Sequence, residues 1–185
     1  MGTTHLVLGG ARSGKSRFAI ASQPHHARVA FVATAEAGDA AMAQRIARHR
    51  AERPGHWLTV EEPCALVASL GRLAGRAIDA VVVDCLTLWV ANRLLRGDAD
   101  EAILGEGAEL AALIARRPWD LTLVSNEVGE GVHPESADGL RFRDLLGLVN
   151  QRVAAACDRV TLMVAGLPLT IKAPAPIYGF TVQTP

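Results

Sequence analysis

Gly9-Gly10-Ala11-Arg12-Ser13-Gly14-Lys15-Ser16 follows the apolar run His5-Leu6-Val7-Leu8 and opens a segment of helical character from Gly14 to about Ala21. The octet fits G-x-x-x-x-G-K-[ST] in the strand-then-helix setting that the motif requires. Gly9 and Gly14 let the backbone turn tightly, so that successive N–H groups face a phosphate. Lys15 brings a compact positive charge to the β- and γ-phosphates, and the Ser16 hydroxyl is a ligand for Mg²⁺. The helix that starts near Gly14 adds its positive dipole end. A glycine-rich turn also arises by chance, but the strand before it and the helix after it select the functional alternative. The chain is expected to bind a nucleoside triphosphate.

Working outward, apolar β-rich runs alternate with helix-prone segments. Arg28 to Thr34 is a second strand, and Asp39 to about Glu52 is a polar, Ala-rich helix closed by Pro54-Gly55. Its Met42, Ile46 and His49 are spaced four and three apart, which puts them on one helical face. Trp57 to Val60 is a short strand, and Pro63 fits the first position of a helix running to about Leu73. Ala80-Val81-Val82-Val83-Asp84 is the clearest core strand, a continuous β-branched run of the kind found in parallel sheets covered on both faces. Helices at Leu86–Leu95 and about Glu101–Arg116 follow, then a buried strand at Leu121–Ser125 and a Gly-rich loop from Glu127 to Gly139. Leu140–Cys157 is a long helix, Arg159–Ala165 is a last strand, and residues 173–185 form a tail or edge extension. The alternation indicates one α/β domain over residues 1–172, with a mostly parallel sheet flanked by helices.

Composition excludes several function classes. The 185 residues carry 19 basic and 19 acidic side chains and only eight aromatic ones, which removes the electrostatic and stacking case for a nucleic-acid binder. Cys64, Cys85 and Cys157 are an odd, scattered set without a CxxC pair, so neither a disulfide framework nor a zinc site is expected, and a reducing cytoplasm fits. No apolar run reaches the ~18 residues of a membrane span, and no charged-then-apolar leader opens the chain.

Two further features bear on chemistry. Asp84 stands at the carboxyl end of its strand, where ligands of such sheets bind, and is the natural carboxylate partner of Mg²⁺; capping the next helix is the plainer alternative, compatible with that role. His49 stands among Arg45, Arg48, Arg50 and Arg53, and guanidinium groups match phosphate oxygens bidentately. An imidazole there is placed to attack an α-phosphate, making a phosphoramidate with pyrophosphate leaving. Spacing alone favours the plainer alternative, a solvated histidine on a polar helix.

GGARSGKS, ATAE, RIARHRAERPGHW with EEP, VVVDCLTLWVAN, SNEVGEGVHPE and RFRDLLGLVNQRVAAACDRVTLMVAGLPLTIK follow one another in an order that resembles one family. It is the bifunctional adenosylcobinamide kinase / adenosylcobinamide-phosphate guanylyltransferase of cobalamin biosynthesis, and the likeness spans about residues 4 to 172. The resemblance implies a RecA-related P-loop NTPase domain assembled as a homotrimer. It implies phosphorylation of the aminopropanol hydroxyl of adenosylcobinamide with GTP or ATP, followed by GMP transfer from GTP to the resulting phosphate, giving adenosyl-GDP-cobinamide. It places the guanylylated histidine on His49 and the nucleotide contacts on Gly9, Gly10, Ala11, Arg12, Ser13, Gly14, Lys15 and Ser16. Further contacts fall on Thr34, Ala35, Glu36, Arg50, Ala51, Glu52, Arg53, Glu61 and Asp84. Ala41 and Arg48 depart from residues common in the family, and the family usually stops near Lys172.

The kinase step asks for in-line delivery of the γ-phosphoryl with charge neutralisation by Lys15, Arg12 and Mg²⁺. Guanylyl transfer asks for the α-phosphate beside His49, which is expected to need a swing of the 39–53 helix about Asp39 and Pro54. Asn126 and Glu127 are candidates to orient the acceptor hydroxyl or the metal-bound water, or else satisfy their own loop. Arg141, Arg143 and Asn150 either reach the substrate or lie on a solvated or intersubunit face. A GTP-binding switch is disfavoured because no N-K-x-D loop is present. A simple metabolite kinase stays open until His49 is tested.

Overall fold

The computed structural model describes residues 2–174. Seven strands form one sheet in the order β3-β2-β4-β5-β1-β6-β7. They are β1 (Thr4–Gly9), β2 (Val29–Ala33), β3 (Leu58–Glu61), β4 (Ala80–Asp84), β5 (Asp120–Val124), β6 (Arg159–Val164) and β7 (Leu167–Lys172). All neighbours are parallel except β6 and β7, which pair antiparallel. Helices α1 (Lys15–Ala21), α2 (Ala40–Ala51), α3 (Leu66–Leu73), α4 (Leu86–Leu95), α5 (Asp100–Arg116) and α6 (Ala137–Ala156) connect them. The expected α/β class, with a mostly parallel sheet between helices, is what the chain adopts.

The strands are apolar on both sides because both sides are covered. Val81 and Val83 of β4 join Leu6, Leu121 and Leu123 against Leu70, Trp89, Leu110 and Leu146 of the helices on one face. Ala80 and Val82 join Val29, Phe31 and Val124 against Ala19 of α1 on the other. Side chains such as Leu6, Leu110 and Trp89 are fully buried, each contributing about 1.5–3 kcal/mol by leaving water. The Trp89 indole N–H stays satisfied by donating to the Cys64 carbonyl at 2.7 Å.

Three boundaries differ from expectation. The helix expected from Pro63 begins at Leu66, because the Glu62 carboxylate accepts from the Cys64 and Ala65 N–H groups (3.2 and 2.8 Å) and holds a turn there. Helix α6 starts three residues before Leu140, with Ser136 capping the Gly139 N–H at 3.1 Å. Strand β7 was not anticipated: Pro168 lies within it, and proline is confined to sheet edges, which is where β7 sits. It turns back from β6 through Ala165 and Gly166, both at positive φ. Of the tail expected at 173–185, residues 175–185 lie outside those described.

Candidate active site

The turn after β1 is built as its glycines require. Gly9 has φ +148°, and a Cβ there would lie 2.5 Å from the Met163 carbonyl oxygen and 2.7 Å from Ser13 Oγ. Gly14 has φ +94° and leads into α1. Lys15 is buried, and its ammonium donates to the carbonyls of Gly9 (2.8 Å) and Gly10 (2.5 Å). Two neighbours buttress the turn, and a third holds the strand that leads into it. The Gly166 N–H donates to the Ser13 carbonyl at 3.1 Å, the Glu127 N–H to the Gly9 carbonyl at 3.2 Å, and the Ser125 N–H to the Val7 carbonyl at 3.0 Å. The unanticipated β6–β7 hairpin therefore supports the phosphate turn.

A cavity of about 850 Å³ opens above this turn. Its floor is Ala11 to Ser16, one wall is Asp84, Cys85, Thr87 and Leu88 after β4, and Val124 and Asn126 close the end of β5. Arg48, His49 and Glu52 of α2 line it as well, with Arg17 and Ile20 of α1. Met42, Ile46 and His49 are the half-buried positions of α2, while its other described side chains are exposed, so the expected inward face is real. His49 Nδ1 lies 3.8 Å from Glu52 Oε2. His49 and the phosphate turn line one cavity, which His49 faces from between the expected hinge residues Asp39 and Pro54.

Strand order decides what stands between Lys15 and Asp84. Strand β5 is inserted between β1 and β4, so its carboxyl end delivers Asn126 to the middle of the cleft. Glu127 instead turns its carboxylate onto the Gly129 N–H at 2.9 Å, satisfying its own loop. Cys85 lines the cleft, but burial and the adjacent Asp84 carboxylate push its thiol up to about 11. It stays protonated near neutrality and is no nucleophile. Helix α4 begins without a side-chain cap, so Asp84 is not spent on that role.

The other expected contacts, Gly9, Gly10, Thr34, Ala35, Glu36, Arg50, Ala51, Arg53 and Glu61, are not among the residues that line the cavity. Thr34 is buried, and its hydroxyl donates to the Cys85 carbonyl and accepts from the Cys85 N–H, both at 2.7 Å. This holds the Asp84–Cys85 step, whose peptide bond is cis. Glu36 and Ala51 are exposed and Ala35 half-buried. Arg50 pairs with Glu61 at 3.5 Å. The Arg53 guanidinium lies 3.6 Å above the Phe31 ring, and desolvation lowers its pKa against the pull of Asp84. Arg141 and Arg143 are engaged elsewhere, Arg141 with Asp100 at 2.6 Å and Arg143 with Asp144 at 3.0 Å and His133 at 2.7 Å.

Arg17, Ile20, Thr87 and Leu88 were not anticipated in the cleft. Arg17 and Ile20 share a face of α1 by their spacing, which was the available signal. Thr87 and Leu88 follow Asp84 by three and four residues.

Ser16 and Asp84 fit Mg²⁺ by the chemistry of the donor set. A hydroxyl and a carboxylate are hard oxygen donors, and Mg²⁺ accepts such a pair when phosphates and waters complete its shell. No helix among the described residues is long and apolar enough to cross a membrane.

Comparison with known proteins agrees with this architecture. An ATPase from the type III secretion system of pathogenic bacteria superposes with a TM-score of 0.55 over 92% of this chain and 57% of that one, at 11% identity, a likeness of fold. The bifunctional adenosylcobalamin biosynthesis protein CobP of Pseudomonas aeruginosa is 48% identical over 169 residues, covering 90% of this chain and 96% of the relative. The protein of the same description, CobU, of Escherichia coli K12 is 41% identical over 182 residues, covering 90% and 98%. The family model for cobinamide kinase / cobinamide phosphate guanyltransferase matches residues 5–171, and with the phosphate turn, Asp84 and the arginine-flanked His49 around one cavity the chain belongs to that family.

Proposed function

We propose that residues 1–172 are one catalytic domain that performs both family reactions in the cleft above the phosphate turn. The observation that carries this is the presence of His49 in the same 850 Å³ cavity as Lys15 and Ser16. In the kinase reaction the aminopropanol hydroxyl of adenosylcobinamide attacks the γ-phosphorus of GTP or ATP. The new P–O bond forms, the β–γ bridge breaks, the nucleoside diphosphate leaves with that electron pair, and one proton passes to solvent. Lys15 exchanges its carbonyl partners for phosphate oxygens, while Arg12 and the N–H groups of Gly10 to Ser16 complete the grip. Ser16 and Asp84 would hold Mg²⁺, which supplies charge neutralisation on the triphosphate.

In the guanylyl reaction the His49 ring nitrogen forms a bond to the α-phosphorus of GTP, and pyrophosphate leaves with the bridging electron pair. An oxygen of adenosylcobinamide phosphate then attacks the same phosphorus, the P–N bond breaks, and the imidazole is restored. Arg48 and Arg17 face the same cleft and would neutralise the leaving pyrophosphate. The segments carrying Thr34, Ala35, Glu36, Arg50, Ala51, Arg53 and Glu61, with Glu52 in the cavity, would take the ribose and base. We extend this to a homotrimer in the cytoplasm; the exposed Leu167, Leu169 and Ile171 of β7 support contact between copies.

Incubation with GTP labelled at the α-phosphate tests the assignment. Retained acid-labile, alkali-stable label is expected on the parent, and none on His49→Ala. Absence of label on the parent leaves only a simple kinase.

A further inference from the structure

We propose that Asn126 is a catalytic residue for phosphoryl transfer and that Asn150, on α6, is the positioning residue that aims it. This rests on the kinase half of the function proposed above.

The placement of Asn126 follows from topology. It leaves β5 between β1, which leads into the turn before Lys15, and the strand that ends in Asp84, and it lines the cleft. Its backbone is locked from two helices. The Asn126 N–H donates to Thr87 Oγ1 at 2.7 Å, and its carbonyl accepts from Asn150 Nδ2 at 3.0 Å. On either side, Ser125 and Glu127 are bonded to Val7 and Gly9. With both backbone polar groups taken, the carboxamide is the polar group that Asn126 has for a ligand.

Asn150 is an expensive way to fill its position. It is 5% exposed among Leu146, Val149 and Val153, which are fully buried. Its Oδ1 is buried without a hydrogen-bond partner among the described residues. A leucine would pack there without stranding an acceptor, and buried polar groups without partners call for an explanation. The one side-chain bond that Asn150 makes among the described residues, to the Asn126 carbonyl, is that explanation: it holds the residue in one orientation toward the cleft.

A neutral amide between a lysine and a carboxylate suits the γ-phosphoryl. Its NH₂ donates to an equatorial oxygen of the transferring group, and its carbonyl accepts from the attacking hydroxyl. Both contacts strengthen as charge moves in the transition state. As the hydroxyl oxygen bonds to the γ-phosphorus, the β–γ bridge breaks and the diphosphate departs with the electron pair, the hydroxyl proton going to solvent. The α-phosphate, approached by His49 from α2, is outside this arrangement.

The test compares the parent with Asn126→Ala, Asn150→Leu and Thr87→Val in the intact chain. Transfer from γ-labelled GTP to adenosylcobinamide is followed beside melting temperature and the KM for GTP. Asn126→Ala is expected to lower kcat by about 10²-fold, with KM for GTP within threefold of the parent. Asn150→Leu and Thr87→Val are expected to lower kcat by about tenfold, again with KM held. Unchanged kcat in Asn126→Ala overturns the proposal, as does a fall in Asn150→Leu that appears equally in KM, which marks a general structural role. A parent that phosphorylates but takes no α-label breaks the guanylyl assignment of His49 alone. The kcat comparison still decides Asn126.

Discussion

Lys15 and His49 face the same cavity but are held by different means. Lys15 is 7% exposed and sits on the carbonyls of its own loop, which is pinned by Glu127 and Gly166. His49 has a side chain 30% exposed on a helix none of whose described side chains is buried, and its acidic neighbour Glu52 is 3.8 Å away. Backbone geometry makes the phosphate grip, and glycine makes that geometry accessible. The transfer group is a side chain borne by a helix that packs through half-buried positions only. The first region should therefore be sensitive to backbone substitution, and the second to whatever sets the helix.

Lys15→Ala tests the shared cavity with the largest effect. Both phosphoryl transfer and α-labelling should fall by about 10²–10³-fold, because one loop draws in the triphosphate for both. Labelling that survives this substitution would separate the two nucleotide sites and end the comparison. Gly9→Ala tests the backbone argument. The added methyl meets the Met163 carbonyl and Ser13 Oγ at a φ that L side chains rarely adopt, so denaturant titration should show a loss of about 1–3 kcal/mol. Asp39→Ala is the counterpart on α2. The Asp39 carboxylate accepts from the Met42 N–H at 2.7 Å and caps the helix. Its loss should cost about 1 kcal/mol, appearing as weaker α-labelling at His49 while the phosphoryl-transfer rate stays near the parent value. Equal loss in both assays would mean that α2 is bound into the core more firmly than its exposure indicates.

Much of this was readable in the chain because the signals are local. The turn from Gly9 to Gly14, the β-branched run ending in Asp84 and the 42–46–49 face of α2 each depend on a few neighbouring residues and on backbone sterics or periodicity. The differences arose where a capping side chain or the pairing of a second strand intervenes. Glu62 holds a turn that delays α3 past Pro63, Ser136 starts α6 early, and β7 forms despite Pro168 because it lies at the edge with β6 to pair with. Asn126 and Glu127 looked alike as neighbours on one loop. Bonds from Thr87 and Asn150 put the first in the cleft, while Glu127 closed on Gly129.

By itself the amino-acid sequence determined the phosphate turn, the apolar strands and the inward face of α2, since steric limits and side-chain period act over a few residues. Only the folded sheet decided that β5 runs between β1 and β4, that the β6–β7 turn braces the loop, and that His49 shares its cavity. Those outcomes depend on which strands pair across the chain, and that is settled by burying both faces of the sheet at once rather than by any single segment.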